Sequence, residues 1–167
     1  MASDVETEPL NALRLAAAAD AERLGAAIAP RLRPGEAVCL WGPLGAGKST
    51  LARGLIRALT SPDEEVPSPT FTLVQSYDAP GLTVTHFDLY RLTSAGEAFE
   101  LGLDEALEAG AAVIEWPERL QGRLPGDRLD VVISFSSGGA AAGRLVRLQG
   151  HGSWSSRADQ LENPTHS

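Results

Sequence analysis

Cysteine, methionine and lysine each occur once in the 167 residues, and aromatics make up only 5%. A single thiol, Cys39, cannot form an internal disulfide, so the fold cannot rest on a disulfide framework. It lies in an apolar run and reads as a small buried side chain. No apolar run approaches the roughly 20 residues a membrane-spanning helix needs. The acidic opening from Met1 to Glu8 is the reverse of a positively charged signal-peptide start, and a cytoplasmic protein is the expectation. Positive charge is also short: 14 Lys and Arg stand against 22 Asp and Glu, a formal net charge of -8. That balance disfavours unassisted binding to DNA or RNA, where phosphate neutralisation by basic side chains supplies most of the affinity. If RNA is involved, a partner should hold it.

The lone lysine stands in an informative place. Gly42-Pro43-Leu44-Gly45-Ala46-Gly47-Lys48-Ser49-Thr50 fits the phosphate-binding pattern GxxxxGK[ST] without a mismatch. Glycines at 42, 45 and 47 let the backbone turn its N–H groups inward, and the helix that follows adds the positive end of its dipole. Lys48 would reach the β- and γ-phosphates, and Ser49 would offer its hydroxyl to magnesium. The other thirteen basic residues are arginine, so lysine appears where a compact, rotatable ammonium suits phosphate better than a planar fork. Context agrees. Ala37 to Trp41 reads as a buried strand after a Pro34-Gly35 turn, and Leu51, Leu55, Ile56 and Leu59 repeat at helical spacing.

Length and apolar content fit one domain over residues 1–149, with 150–167, which lack apolar periodicity, expected as a disordered tail. Ala12 to Leu15 is expected as an edge strand, followed by a helix from an N-cap at Asp20 through Leu24, Ala27 and Ile28. The alanine run at 16–19 is too short to carry meaning. Thr60 to Pro69 is expected as a loop, and Phe71 to Tyr77 with Leu82 to Phe87 as a hairpin turning at Asp78 to Gly81. Ser94 and Glu97 suit a capping box for a helix that Gly102 interrupts, and Asp104 to Ala109 supplies a further turn or two. Ala111 to Ile114, Leu129 to Phe135 and Arg144 to Leu148 read as strands. The fold class expected is α/β, a three-layer P-loop NTPase with a mixed sheet that includes antiparallel hairpins.

A triphosphate site also needs a carboxylate for the metal shell and a group to orient the nucleophile. Asp88 and Glu115 each follow an apolar strand, and in parallel α/β sheets the carboxyl ends of strands face the ligand crevice. The direction of the strand carrying Asp88 is open at this level. His86, on the same strand face as Asp88, reads as a structural histidine.

Taken together, GPLGAGKST at 42–50, VPSPTFTLV at 66–74, HFDLYRL at 86–92 and IEWPERL at 114–120 closely resemble the TsaE family, bacterial ATPases of tRNA threonylcarbamoyladenosine biosynthesis. The resemblance covers roughly residues 15–148. It implies magnesium-dependent ATP hydrolysis, weak alone, stimulated by partners and coupled to turnover of the partner complex. The partners implied are TsaB and TsaD, with tRNA met only indirectly through them and neither membrane nor DNA involved. By the same resemblance Gly45, Ala46, Gly47, Lys48, Ser49 and Thr50 hold phosphate, and Ser49 and Glu115 hold the metal. Lys48 acts in catalysis, Asp88 is the catalytic or switch aspartate, and Thr70, also catalytic, belongs with Ser68 to a switch loop that senses the γ-phosphate. Trp116 resembles an aromatic position close to the nucleotide, and Arg144 approaches it after a glycine-rich turn. Pro43 departs from the acidic residue common there and removes one loop N–H.

Two other readings compete. A small-molecule kinase would bring an arginine-rich lid, for which Arg119, Arg123 and Arg128 are the candidates. A GTP switch would need an NKxD-type string, and the sequence holds none, its only lysine being Lys48.

Overall fold

The computed structural model describes residues 12–67, 74–139 and 143–161. Strand β1 (Leu13–Leu15) leads into helix α1 (Ala18–Ile28), and β2 (Ala37–Trp41) leads through the glycine loop into α2 (Lys48–Leu59). The hairpin β3 (Val74–Ala79) and β4 (Leu82–Asp88) precedes two short helices, α3 (Ala95–Glu100) and α4 (Leu103–Ala109). Then come β5 (Ala111–Glu115), a 3-10 turn at Pro117–Leu120, β6 (Arg128–Phe135) and β7 (Arg144–His151).

These strands form one sheet in the order β1-β7-β6-β2-β5-β4-β3. The four inner strands β6, β2, β5 and β4 run parallel, and β7 and β3 flank them antiparallel. Helices cover both faces. Val38, Leu40, Val84, Val113, Leu129 and Val131 point to α1 and α2, whereas Ala37, Cys39, Phe87, Ala112 and Ile114 pack against Ala98, Leu103 and Leu120 on the other side. The inner strands are mostly apolar on both faces, as suits parallel strands between two helical layers, with buried polar side chains at Thr85, His86, Asp88, Glu115 and Asp130. Cys39 is fully buried in this second core, and burial drives its thiol pKa far up, with the negative charge of Asp130 adding to the effect. Among the described residues no helix is long and apolar enough to cross a membrane.

Several local expectations shift. Helix α1 starts two residues before Asp20, so Asp20 is not the N-cap. Its carboxylate reaches back to accept the N–H groups of Ala16 and Ala17 at 2.9 and 3.0 Å, which satisfies donors that the first helical turn leaves open. Ser94 is the N-cap of α3 as expected, but its hydroxyl makes no bond to a helix N–H; Glu97 accepts chiefly from the Thr93 N–H at 3.2 Å and the Thr93 hydroxyl, with Ser94 a weaker donor. The hairpin turns tightly at Pro80-Gly81, with Gly81 at φ +80°, and the Phe71–Leu73 part of the expected strand lies outside the described residues.

Two glycines not singled out in the sequence set how closely α1 and α2 pack. A Cβ on Gly25 would lie 2.1 Å from the Leu51 carbonyl oxygen, and one on Gly54 would lie 2.2 Å from that of Glu22. The helix backbones touch where only hydrogen fits.

The expectation of a disordered tail fails for residues 150–161. Strand β7 continues through Gly150 and His151, pairing with Leu129 and Arg128, and Trp154 is wholly buried in the core of the α1–α2 side with Ala158 and Leu161. Arg157 explains why a segment poor in periodicity still docks: its guanidinium binds the buried carboxylate of Glu36 and the Arg31 carbonyl, and stacks over Trp154 at 4.2 Å. Ser153 donates its hydroxyl to the same Glu36 at 2.6 Å. A few specific contacts, not a repeating pattern, hold this end, so periodicity gave no sign of it.

Candidate functional site

The glycine loop turns out of β2 through Gly42 (φ +153°), Gly45 (φ +80°) and Gly47 (φ +106°), and Gly47 delivers the chain into α2 so that Lys48 opens the helix. Left-handed backbone at two of these positions is what glycine supplies at no steric cost. The amide of Ala46 bonds within the loop, donating to the Pro43 carbonyl at 3.1 Å.

Lys48 is not solvated, as a flexible P-loop lysine would be: it is only 5% exposed. Its ammonium donates to the Gly42 carbonyl and sits 3.3 Å from the centroid of the Trp116 ring. Burial holds its pKa below the usual lysine range, and the charges of Glu115, Glu118 and Asp88 offset part of that. The face of Trp116 is aimed by an unusual backbone: the residue has φ 62° and ψ 51°, a left-handed conformation costly for a bulky side chain, and the restricted ring of Pro117 follows. Tyr90 packs on the same indole at 4.8 Å, and the Arg119 guanidinium lies over Tyr90 at 5.7 Å.

Parallel pairing of β4 with β5 settles the direction of the strand that carries Asp88: Asp88 and Glu115 are register partners at the carboxyl ends of neighbouring strands. Both side chains are buried. Asp88 accepts the Tyr90 N–H at 3.0 Å, which orders the turn leaving β4. Glu115 accepts from the Ser49 hydroxyl, with Oγ 3.0 and 3.2 Å from its two oxygens, a contact between residues 66 positions apart. His86 is closer to this chemistry than its reading as a structural residue implied, since its Nε2 lies 2.7 Å from Glu115 Oε2.

Arg144 comes to the loop from β7. Its Nε donates to the Ala46 carbonyl at 3.2 Å and its Nη2 to the Gly45 carbonyl at 3.1 Å, while the guanidinium lies over Phe135. Beside it a cavity of about 240 Å³ is lined by Leu15, Ala16, Ala17, Ala18, Ala21, Thr50 and Arg144 with the loop residues Gly45 to Gly47. The alanine run at 16–19, dismissed in the sequence as short, therefore has a place here: three of its four methyls leave space where larger side chains would fill it. Tyr90 was missed as well, although it follows Asp88 by two residues in the HFDLYRL string. Ser68 and Thr70 lie outside the described residues.

The oxygen donors fit magnesium by their chemistry. A serine hydroxyl and a carboxylate 3 Å apart are hard ligands, and magnesium takes few protein ligands and fills its shell with phosphate oxygens and water. Among the described residues no group of three or more His, Cys, Asp and Glu side chains is arranged to hold a metal by itself.

Comparison with known proteins bears on this assembly. The family model described as threonylcarbamoyl adenosine biosynthesis protein TsaE matches residues 15–143, a span that takes in the glycine loop, both carboxylates and Trp116. The chain belongs to the TsaE family. Among its relatives, the TsaE protein of Rickettsia bellii is 42% identical over 105 residues, 63% of this chain and 73% of that protein. TsaE of Bacillus subtilis is 38% identical over 102 residues, 60% of this chain and 63% of that protein. TsaE of Rickettsia conorii matches over 64% of its own length, so for the last two the aligned stretch spans under two thirds of the relative. The crystal structure of Bacillus subtilis YdiB superposes with a TM-score of 0.71 at 26% identity, covering 93% of both chains. A P-loop NTPase fold is thus shared well beyond the stretch where sequences align, and the C-terminal segment that docks through Trp154 falls beyond the residues the TsaE model matches.

Proposed function

We propose that this chain binds ATP with magnesium and hydrolyses it slowly, as a subunit of the machinery that makes threonylcarbamoyladenosine in tRNA, the pathway named for its relatives. The observation that carries the reading is the Ser49–Glu115 hydrogen bond, which joins the hydroxyl of a P-loop to a strand-end carboxylate. In this reading Gly45, Ala46, Gly47, Lys48 and Thr50 cradle the phosphates, and Ser49 and Glu115 hold the cation. A bound magnesium ion supplies charge neutralisation on the triphosphate. Asp88, one strand over from Glu115, orients the attacking water or answers to the switch loop of Ser68 and Thr70. The cavity between the alanine run and Arg144 takes the nucleoside, and Trp116 lies at the phosphate end beside Lys48.

The partners proposed are TsaB and TsaD homologues, in the cytoplasm, with tRNA reached only through them. Two apolar side chains near the site are exposed and available to a partner: Leu44 in the loop is 74% exposed, and Tyr90 beside Trp116 is 44% exposed. The kinase reading gains no support. Arg119 lies over Tyr90, Arg123 over Phe99 at 4.3 Å, and Arg128 donates to Asp130 at 3.1 Å, three separate engagements.

The test is ATP binding and turnover by the full chain with and without magnesium, repeated with TsaB and TsaD homologues present. Magnesium-dependent binding with slow turnover that rises on adding both partners is expected. Absence of ATP binding overturns the nucleotide reading, and turnover indifferent to both partners overturns the coupling.

A further inference from the structure

We propose that His86 is a positioning residue for the cation site, pinning one oxygen of Glu115 so that the other stays directed at the Ser49 hydroxyl. The inference rests on the reading of Glu115 as the metal carboxylate. His86 stands on β4 with its Cα opposite Val113, two residues short of Glu115, and its ring extends along the strands to place Nε2 2.7 Å from Glu115 Oε2. Its side chain is 1% exposed, and Glu115 is buried with it.

The contact sets which atom donates. An ionised carboxylate only accepts, so Nε2 carries the proton and donates. Nδ1 is buried and makes no hydrogen bond among the described residues, so Nε2 makes the ring's one polar contact there. A ring kept only to fill space would gain nothing from a nitrogen in that position.

That bond anchors one carboxylate oxygen. His86 engages Oε2, and Ser49 Oγ is within reach of both oxygens, 3.0 Å from Oε1 and 3.2 Å from Oε2. A free glutamate samples several rotamers, and without an anchor Glu115 would have to be ordered each time a cation bound. With Oε2 held from β4, Oε1 is oriented beforehand, toward the hydroxyl with which it would share the cation. Outer partners of this kind fix metal ligands and are felt in metal affinity more than in the fold.

Two substitutions separate positioning from packing. His86→Gln keeps an N–H at about the reach of Nε2, whereas His86→Leu keeps volume and loses the donor. The measurement is ADP affinity of the full chain by calorimetry, with magnesium and with a chelator, and the quantity read is the gain that magnesium confers. His86→Leu is expected to reduce that gain about 10-fold, with metal-free ADP affinity unchanged, and His86→Gln to restore most of it. If His86→Leu retains the gain, or if both variants lose it equally, the ring only packs and the proposal is overturned. Glu115→Gln is the reference. Where it loses the gain and His86→Leu does not, the positioning role alone is refuted; where Glu115→Gln itself keeps the gain, the reading of Glu115 as a metal ligand is refuted and the positioning role with it. Should His86→Leu fail to fold, His86→Asn, polar but too short to reach Glu115, carries the same expectation and the same refutation.

Discussion

The ammonium of Lys48 rests on the indole of Trp116, 3.3 Å from its centroid, and donates to the Gly42 carbonyl. A lysine so held must leave the ring or share it when phosphate arrives, and the indole reports the change. Lys48→Ala is expected to abolish ATP binding and also to alter Trp116 fluorescence before any nucleotide is added. Loss of a cation–π contact should cost the fold no more than about 2 kcal/mol. Titration of wild type, Lys48→Ala and Trp116→Phe with ATP, followed by tryptophan emission, checks both parts. Wild-type ATP affinity in a folded Lys48→Ala protein would refute the P-loop assignment.

Asp88 and Glu115 sit in register but keep different company. Glu115 meets the Ser49 hydroxyl, whereas Asp88 accepts the Tyr90 N–H of its own turn. A carboxylate that holds a metal stabilises the bound ground state, and one that orients water contributes mainly in the transition state. Glu115→Gln is therefore expected to weaken magnesium-dependent nucleotide binding, and Asp88→Asn to lower turnover with affinity retained. Magnesium–ATP affinity and partner-stimulated turnover of the two variants provide the check, and the opposite pattern would exchange the two roles.

Most of this site was legible because its residues lie in short strings whose spacing encodes local geometry. The glycine loop needs particular backbone angles at particular positions, and Asp88 and Glu115 each end an apolar strand, so all were visible as residue types in order. The direction of β4 was not, because hairpin alternation looks the same whichever way the sheet runs, and it took pairing with β5 to decide it. Contacts between side chains far apart in sequence were equally hidden. His86 with Glu115 is one example, and Gly25 with Leu51 is another, since a lone helical glycine has no pattern of its own.

The C-terminal segment is the largest such gap, and it reverses an expectation. Removal of residues after Gln149 takes Trp154, Ala158 and Leu161 from the core and leaves the buried Glu36 carboxylate without Arg157 and Ser153. Truncation should therefore unfold the protein or nearly so. Single substitutions give a graded version: Trp154→Ala should cost about 3–5 kcal/mol through the cavity it leaves. Arg157→Ala should cost a similar amount, about 3–5 kcal/mol, by stranding a buried charge. Denaturant titration measures both, and a Trp154→Ala midpoint equal to wild type would show that the segment does not dock.

Packing of α1 on α2 sets two opposed effects against each other at Gly25. Alanine would gain about 1 kcal/mol of helix propensity. The added Cβ would, however, come within 2.1 Å of the Leu51 carbonyl and 2.7 Å of the Leu55 nitrogen, both backbone atoms that cannot swing aside. Overpacking of this kind typically costs about 1–3 kcal/mol and more where backbone must move, so it should win. In α3 the nearest atom to a Cβ on Gly96 is 3.9 Å away, and Gly96→Ala should stabilise by about 0.4–1 kcal/mol. Melting temperatures of the two variants should therefore move in opposite directions, and a stabilised Gly25→Ala would contradict the close approach.

Acid should act on the start of α1 through Asp20. Burial alone would raise its carboxyl pKa, but hydrogen bonds from Arg23 and from the N–H groups of Ala17 and Ala16, with the arginine charge, outweigh it and hold the pKa below 3.8. The folded protein then keeps this carboxylate ionised at pH values where the unfolded chain has already taken up the proton. Its contribution is fully present above pH 3.8 and is lost as pH falls through the lower folded value. The Arg23 partner is 54% exposed, so screening limits its share and the two backbone amides carry most of the effect. Asp20→Ala should accordingly cost about 1 kcal/mol near neutral pH, the typical value of a lost helix cap. Stability of wild type and variant across a pH series isolates this group, because every other carboxylate is common to both. The gap between them should narrow only below pH 3.8, and a gap that stays constant into strong acid would mean that Asp20 is held by its shape and not by its charge.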